Sequence, residues 1–275
     1  MTVSAYDFSL VKTYLHISPE GVDHLLDEMA GTEFFNSARL VEMMEKTGEA
    51  VQANGRKLPG SFFGTSLSHL CITKLIFLAM YDKVIDLSLD NVMLQIDYEE
   101  GHGHPHLGYR IKEVRVQDMP AGNGDGFVLA DWRKFLSASV TPAVEAIAEA
   151  ANAKAEMIWQ QFGGITGMVR DFVQNMQLPP EVAERFTHHF NLLSEEVAPD
   201  VFNRRRNPFK WELRYIDNPY EPGEQWVMRS ACCYYDSRKD GEKCFVCPRM
   251  TLAERAEKVA CIQAGADAQS EATSA

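Results

Sequence analysis

Residues 91–117 read NVMLQIDYEEGHGHPHLGYRIKEVRVQ, and this stretch decides the fold class. Residues 91–99 alternate apolar and polar side chains. Residues 107–117 do the same, with Tyr109, Ile111, Val114 and Val116 among the apolar members. Between them lies Gly101-His102-Gly103-His104-Pro105-His106. Two stretches of period 2 around a Gly/Pro-rich connection predict a β-hairpin.

The sequence on either side has helical periods. On the N-terminal side, Ser18-Pro19-Glu20 has helix-start chemistry, and Val22, Leu25, Leu26 and Met29 follow at helical spacing. A second helical pattern covers 33–51, and the apolar stretch 67–82 predicts a buried helix. On the C-terminal side, Asn123-Gly124-Asp125-Gly126 reads as a loop, and helical sequence resumes near Asp131. Residues 142–155 are Ala- and Glu-rich, a composition that favours helix. Ile158, Phe162, Ile165, Val169, Phe172 and Met176 then recur at steps of three and four. Gly163 and Gly164 interrupt that stripe at a cost of roughly 1 kcal/mol each against alanine, which predicts close approach of another backbone or a ligand. Pro179-Pro180 closes the element, and a further helix is predicted to about Glu196. Strands are predicted at 210–215 and 225–230, and a frayed polar tail at 262–275.

The predicted fold is therefore α+β: a mostly helical body, a mid-chain β-hairpin, and a short C-terminal β element leading into a four-cysteine site. The best candidate division falls near Gly122–Gly126. It separates an N-terminal helical region with the hairpin (1–122) from a helical, cysteine-bearing region (123–261), followed by the tail (262–275).

The chain has 275 residues, with 39 Asp+Glu against 27 Lys+Arg and a formal charge of −12. That balance argues against a nucleic-acid partner, whose phosphates are neutralised by Lys and Arg. The longest apolar run, residues 70–80, is too short to span a bilayer and contains Lys74. The opening residues lack a secretory pattern. Six cysteines are too few for a disulfide scaffold. These features predict a cytoplasmic protein without a transmembrane segment.

Four of the cysteines fall together: Cys232, Cys233, Cys244 and Cys247. Thiolates are soft ligands, and four within sixteen residues can enclose a zinc ion or an iron–sulfur cluster. The two-residue gap between Cys244 and Cys247 lets one turn present both sulfurs. Neighbours in an extended segment point to opposite faces, so Cys232 and Cys233 need a bent backbone or a site wider than one ion. That tilts the reading toward iron and sulfur, with zinc and unligated thiols still open. Around the motif, Arg229, Arg238, Lys239, Lys243 and Arg249 outnumber Asp236, Asp240 and Glu242, a local reversal of the acidic whole.

The pattern Cys-Cys-x10-Cys-x2-Cys, after a strand ending in Arg229-Ser230-Ala231, resembles that of the FhuF-type ferric siderophore reductases. A weaker resemblance extends to Met157-Ile158-Trp159 and to Asn207-Pro208-Phe209-Lys210-Trp211. The resemblance implies that the four cysteines hold a [2Fe–2S] cluster. It implies reduction of Fe(III) in an imported siderophore, of hydroxamate type, with release of Fe(II). The partners it implies are the ferric siderophore and a donor, either reduced ferredoxin or a flavin reductase, in the cytoplasm or loosely against the inner membrane. The four cysteines are cluster ligands rather than acid, base or nucleophile. A non-enzymatic carrier or sensor and a zinc-stabilised binding module are the alternatives.

The remaining candidates have blander readings. Cys71 reads as a core thiol and Cys261 as an exposed bystander. His102, His104 and His106 could share a face toward a metal or substrate, but solvated histidines are ordinary in such a connection. His188 and His189 read as helix surface. Arg204-Arg205-Arg206 reads as a solvated turn or as a dock for an acidic donor or a negatively charged siderophore. Trp159 and the Gly163-Gly164 pair belong to the core stripe and could border the cluster.

Overall fold

The computed structural model describes residues 6–98, 104–175, 178–221 and 223–273. The fold is α+β, as the alternating and helical stretches predict. Its centre is a long helix, α3 (Lys57–Tyr81), with buried side chains on nearly every face. It packs against α1 (Ser9–Leu15), α2 (Ser37–Ala50), α5 (Thr141–Ala150), α6 (Ala155–Asn175) and α7 (Pro180–Asn191). The helix begins ten residues before the predicted 67–82 segment. By length and composition it could cross a membrane, but 78% of its apolar window is buried against the rest of this chain. Lys74 sits inside it at 2% exposure, its ammonium held by Asp131 at 2.8 Å and the Ile85 carbonyl at 2.7 Å.

The predicted hairpin is β4 (Val92–Asp97) paired antiparallel with β5 (His106–Ile111), with Leu94 opposite Tyr109 and Asp97 opposite His106. Val92, Leu94 and Ile96 face inward with Leu107, Tyr109 and Ile111, all buried. Alternation thus converts directly into one buried face, each such side chain contributing roughly 1.5–3 kcal/mol. Tyr109 anchors that face by its hydroxyl, 3.0 Å from Ser66 Oγ of α3.

Two further strands complete this sheet, in the order β1-β5-β4-β2. Here the predicted helix over 18–29 is corrected: the chain forms β1 (Ile17–Ser18), a turn, and β2 (Leu25–Ala30) on the edge beside β4. The turn closes through Ser18, whose hydroxyl accepts the Gly21 N–H at 3.0 Å. Leu25 and Leu26, each 50% exposed, mimicked a helical stripe without being core.

The predicted strand over 107–117 is also divided. After Ile111 the chain turns, and β6 (Val116–Asp118) pairs instead with β3 (Lys83–Ile85). Asn91 fixes the turn, its amide donating to the carbonyls of Asp86 (2.9 Å) and Glu113 (2.8 Å).

In the second half, α4 (Gly124–Phe135) runs through a π-helical turn into α5, starting seven residues earlier than predicted. The Pro179-Pro180 pair follows α6, as predicted, and Pro180 opens α7, in keeping with proline at a first turn. The C-terminal β element is β7 (Arg214–Asp217) paired with β8 (Gln225–Met228), the first shifted a few residues from 210–215. Where the sequence predicts a frayed tail, α8 (Leu252–Thr273) is helical through most of 262–275, a stretch rich in Ala. One buried cluster draws residues from Phe8 to Ala231 and includes both sides of Gly122.

Candidate metal centre

The segment after β8 has little regular structure, and contacts from α6, from α8 and from the loop between α2 and α3 place it. Arg229 N–H donates to the Val246 carbonyl at 3.0 Å, tying the end of β8 to the Cys244–Cys247 turn. That turn closes by Cys247 N–H to Cys244 O at 2.9 Å. Arg255, in the first turns of α8, donates to the carbonyls of Phe245 and of Cys247, the latter at 3.1 Å. The start of α8 is set by a reciprocal cap: Thr251 N–H to Glu254 at 2.6 Å, and Glu254 N–H to Thr251 Oγ1 at 3.2 Å.

The chain changes direction just after the Cys232-Cys233 pair. Tyr234 immediately after it has φ +57°, a left-handed conformation that interrupts the extended run from β8. Behind the pair, Gln161 of α6 donates to the Cys232 carbonyl at 3.1 Å and to Ser61 of α3 at 2.8 Å. Ahead of it, Asn54 N–H donates to Ser237 O at 2.7 Å and Lys239 N–H to Gln52 O at 2.9 Å. The loop between α2 and α3 thus braces the cysteine segment.

Cys232 Sγ accepts the Tyr234 N–H at 3.3 Å, and the backbone N–H groups of Tyr235 and Arg249 act on Cys233 and Cys247 in the direction that lowers their thiol pKa. Cys232 Sγ also accepts from the Arg249 guanidinium at 3.4 Å. Each of these donors favours a thiolate over a thiol. Burial acts the other way and is the largest influence at Cys233 and Cys247, pushing both thiols up. Cys247 is buried and the other three are half-buried, so the site lies at the surface.

The donor set has the chemistry an iron–sulfur cluster takes: soft sulfurs within reach of one another's charge, one of them, Cys232, with an amide and a guanidinium donor on it. Among the described residues, no three Cys, His, Asp or Glu side chains close around one point that could hold a single ion.

A cavity of about 800 Å³ adjoins the site, walled by Glu45, Glu49, Arg56 and Lys57 on one side and by Tyr234 and Arg249 on the other. The Lys57 ammonium lies 5.6 Å from the Tyr234 ring centre.

The other candidates are distributed as follows. Cys71 is fully buried in α3 and Cys261 exposed on α8, as predicted. Of the stripe, Ile158 and Phe162 are core but Phe172 is 54% exposed; Met176 lies outside the described residues. A Cβ at Gly163 would stand 2.3 Å from the Pro208 carbonyl oxygen, and one at Gly164 2.1 Å from Ser230 Oγ. The two glycines therefore serve close approach by protein. They bring α6 against the 207–211 segment and against the residue two before Cys232. His189 is buried, correcting the surface reading, whereas His188 is exposed and 2.8 Å from Asp125. His102 lies outside the described residues. His106 stacks 4.5 Å from His16 and 4.7 Å from His104, in a separate region where Asp97 lies 3.6 Å from His24. Arg204 is not solvated: it pairs with Glu145 at 3.0 Å and Glu156 at 3.3 Å.

Arg249, Gln161 and Arg255 were not singled out by sequence. The excess of positive charge near the motif includes Arg249, but its partner depends on how the loop folds back. No protein-family model matches the chain, and neither does any curated protein or solved structure.

Proposed function

We propose that the protein is a ferric siderophore reductase, holding a [2Fe–2S] cluster through Cys232, Cys233, Cys244 and Cys247. The observation that carries the reading is Cys232 Sγ, which accepts both the Tyr234 N–H and the Arg249 guanidinium beside three further thiols. Hydrogen bonds to sulfur and nearby positive charge offset the negative charge of a thiolate-held cluster. When bound, such a cluster supplies one electron at a time.

The chain's own residues do the rest. Arg255 and the Arg229–Val246 hydrogen bond hold the cysteine turn, and Gln161 fixes the Cys232 carbonyl from behind. The cavity bordered by Tyr234, Arg249 and Lys57 has the volume of a small-molecule site, about 800 Å³, and opens beside the half-buried cysteines. It is where an iron complex would come close to the cysteines. Siderophores bind Fe(III) through hard oxygens, and Fe(II) is softer and held far less tightly by them. One electron is enough to loosen the iron.

A single zinc ion is the weaker reading, because a structural zinc site needs four donors about 2.0–2.3 Å from one point. The test is the visible spectrum of freshly purified protein before and after dithionite, with iron, zinc and sulfide analysis. A red-brown protein with equal iron and sulfide, bleached by dithionite and recoloured by a ferric hydroxamate complex, is the expected result. A colourless protein carrying one zinc, still colourless after anaerobic reconstitution, would remove the electron store and the reductase reading with it.

A further inference from the structure

We propose that the basic concavity beside Ser230 is the docking face for an acidic one-electron donor protein, distinct from the cavity offered to the iron complex. The inference rests on the reductase reading for its purpose, but not for its geometry.

Two adjoining cavities, of about 1030 and about 1190 Å³, share Arg205, Arg206, Lys210 and Trp211. Together they exceed the roughly 300–1,000 Å³ of a small-molecule site and make a broad open face. On a chain of net charge −12 this face is locally positive. Arg204 is consumed by Glu145 and Glu156, and Lys210 by Glu195. Arg205, Arg206 and Arg214 are exposed and, among the described residues, have no carboxylate partner. Against Asp200 and Glu212, which line the same cavities, these three guanidiniums and the paired cations leave a local excess of positive charge, whose complement is an acidic protein. An acidic partner is repelled by the rest of the molecule, so it is oriented as well as attracted.

The face also lies where an electron is needed. Gln160 lines both cavities, and its neighbour Gln161 donates to the Cys232 carbonyl at 3.1 Å. Ser230, at the rim of the larger cavity, is packed on Gly164 two residues before Cys232. The other cavity reaches the cysteines through Tyr234 and Arg249 instead. The donor loses one electron and is oxidised, and the cysteine-held centre gains it. No bond is made and no proton is transferred. The same electron then reduces Fe(III) to Fe(II).

The experiment uses the full chain, an acidic [2Fe–2S] ferredoxin as probe, and the double variant Arg205→Glu/Arg206→Glu. Ferredoxin binding is measured by calorimetry, and reduction by ferredoxin and by dithionite is measured by stopped flow. At low salt the variant should bind the ferredoxin and accept its electrons about tenfold or more weakly. Its reduction by dithionite should be unchanged, and the difference from wild type should vanish at high salt. Equal ferredoxin affinity in the two proteins overturns the proposal, whether or not a cluster is present. So does a wild-type affinity that does not fall with rising salt, a result that needs no variant to fold. A protein without a cluster that still binds ferredoxin through these arginines would sink the reductase reading and leave the docking face standing.

Discussion

Arg249 reaches the cysteines through its guanidinium, which donates to Cys232 Sγ and, at the same 3.4 Å, to Asp236. If the four cysteines hold the proposed cluster, a cation beside the sulfurs would favour its more negative, reduced state. Arg249→Ala should therefore lower the midpoint potential, by on the order of tens of millivolts given the worth of a charged hydrogen bond. Arg249→Lys should lower it less, since the charge stays and the planar fork is lost. Both potentials can be read by dye-mediated titration. Because the guanidinium is half-exposed, the difference should shrink as salt is raised. An unchanged potential in Arg249→Ala would show that the backbone amides alone set it.

At the scale of elements, two helices position the cysteine segment by different means. Helix α6 does so by closeness. Gly163→Ala gains up to about 1 kcal/mol of helix propensity. Its new methyl would meet the Pro208 carbonyl oxygen at 2.3 Å, where overpacking costs about 1–3 kcal/mol and a backbone group cannot rotate aside. The clash should win, giving a net loss of about 1–2 kcal/mol in urea unfolding. A stabilised variant would mean that α6 and the 207–211 segment can separate freely. Helix α8 works instead through one side chain, Arg255, on the carbonyls of Phe245 and Cys247. Its apolar contribution is slight, Leu252 being 87% exposed. Arg255→Ala should leave global stability within about 1 kcal/mol. It should hasten loss of visible colour in the presence of a chelator, followed spectroscopically against wild type.

Among the described residues, His69 and His189 each bury a ring nitrogen, and their titration links stability to pH. Burial lowers the pKa of His69, beside His16 and His106, to about 4, and that of His189 to about 4. His69 Nδ1 and His189 Nδ1 are buried without hydrogen-bond partners. Both rings are neutral in the fold, whereas in the unfolded chain they take up a proton near pH 6.5. The stability they permit is therefore complete above about pH 6.5 and is lost as pH falls toward 4. At pH 5 the loss should be up to about 2 kcal/mol per histidine relative to pH 7.5. Urea midpoints across this range measure it, and His69→Leu should flatten the slope. A flat wild-type profile would mean that the rings are hydrated.

What the sequence determined by itself was local. Alternation in 92–97 and 106–111 set the hairpin, since a period of 2 buries one face whatever surrounds it. The spacing of the four cysteines marked the candidate centre. Only the tertiary structure decided the rest. Residues 25–30 became an edge strand because β4 offered hydrogen bonds, overriding a spacing that suited a helix. Gly163 and Gly164 became contact points because Pro208 and Ser230, some 45 and 66 positions away, came to rest on them. Arg249 found Cys232, and Gln161 the Cys232 carbonyl, only once the chain had folded back. Periodicity is a property of neighbours along the chain. Partnerships across it depend on which segments the buried core brings together.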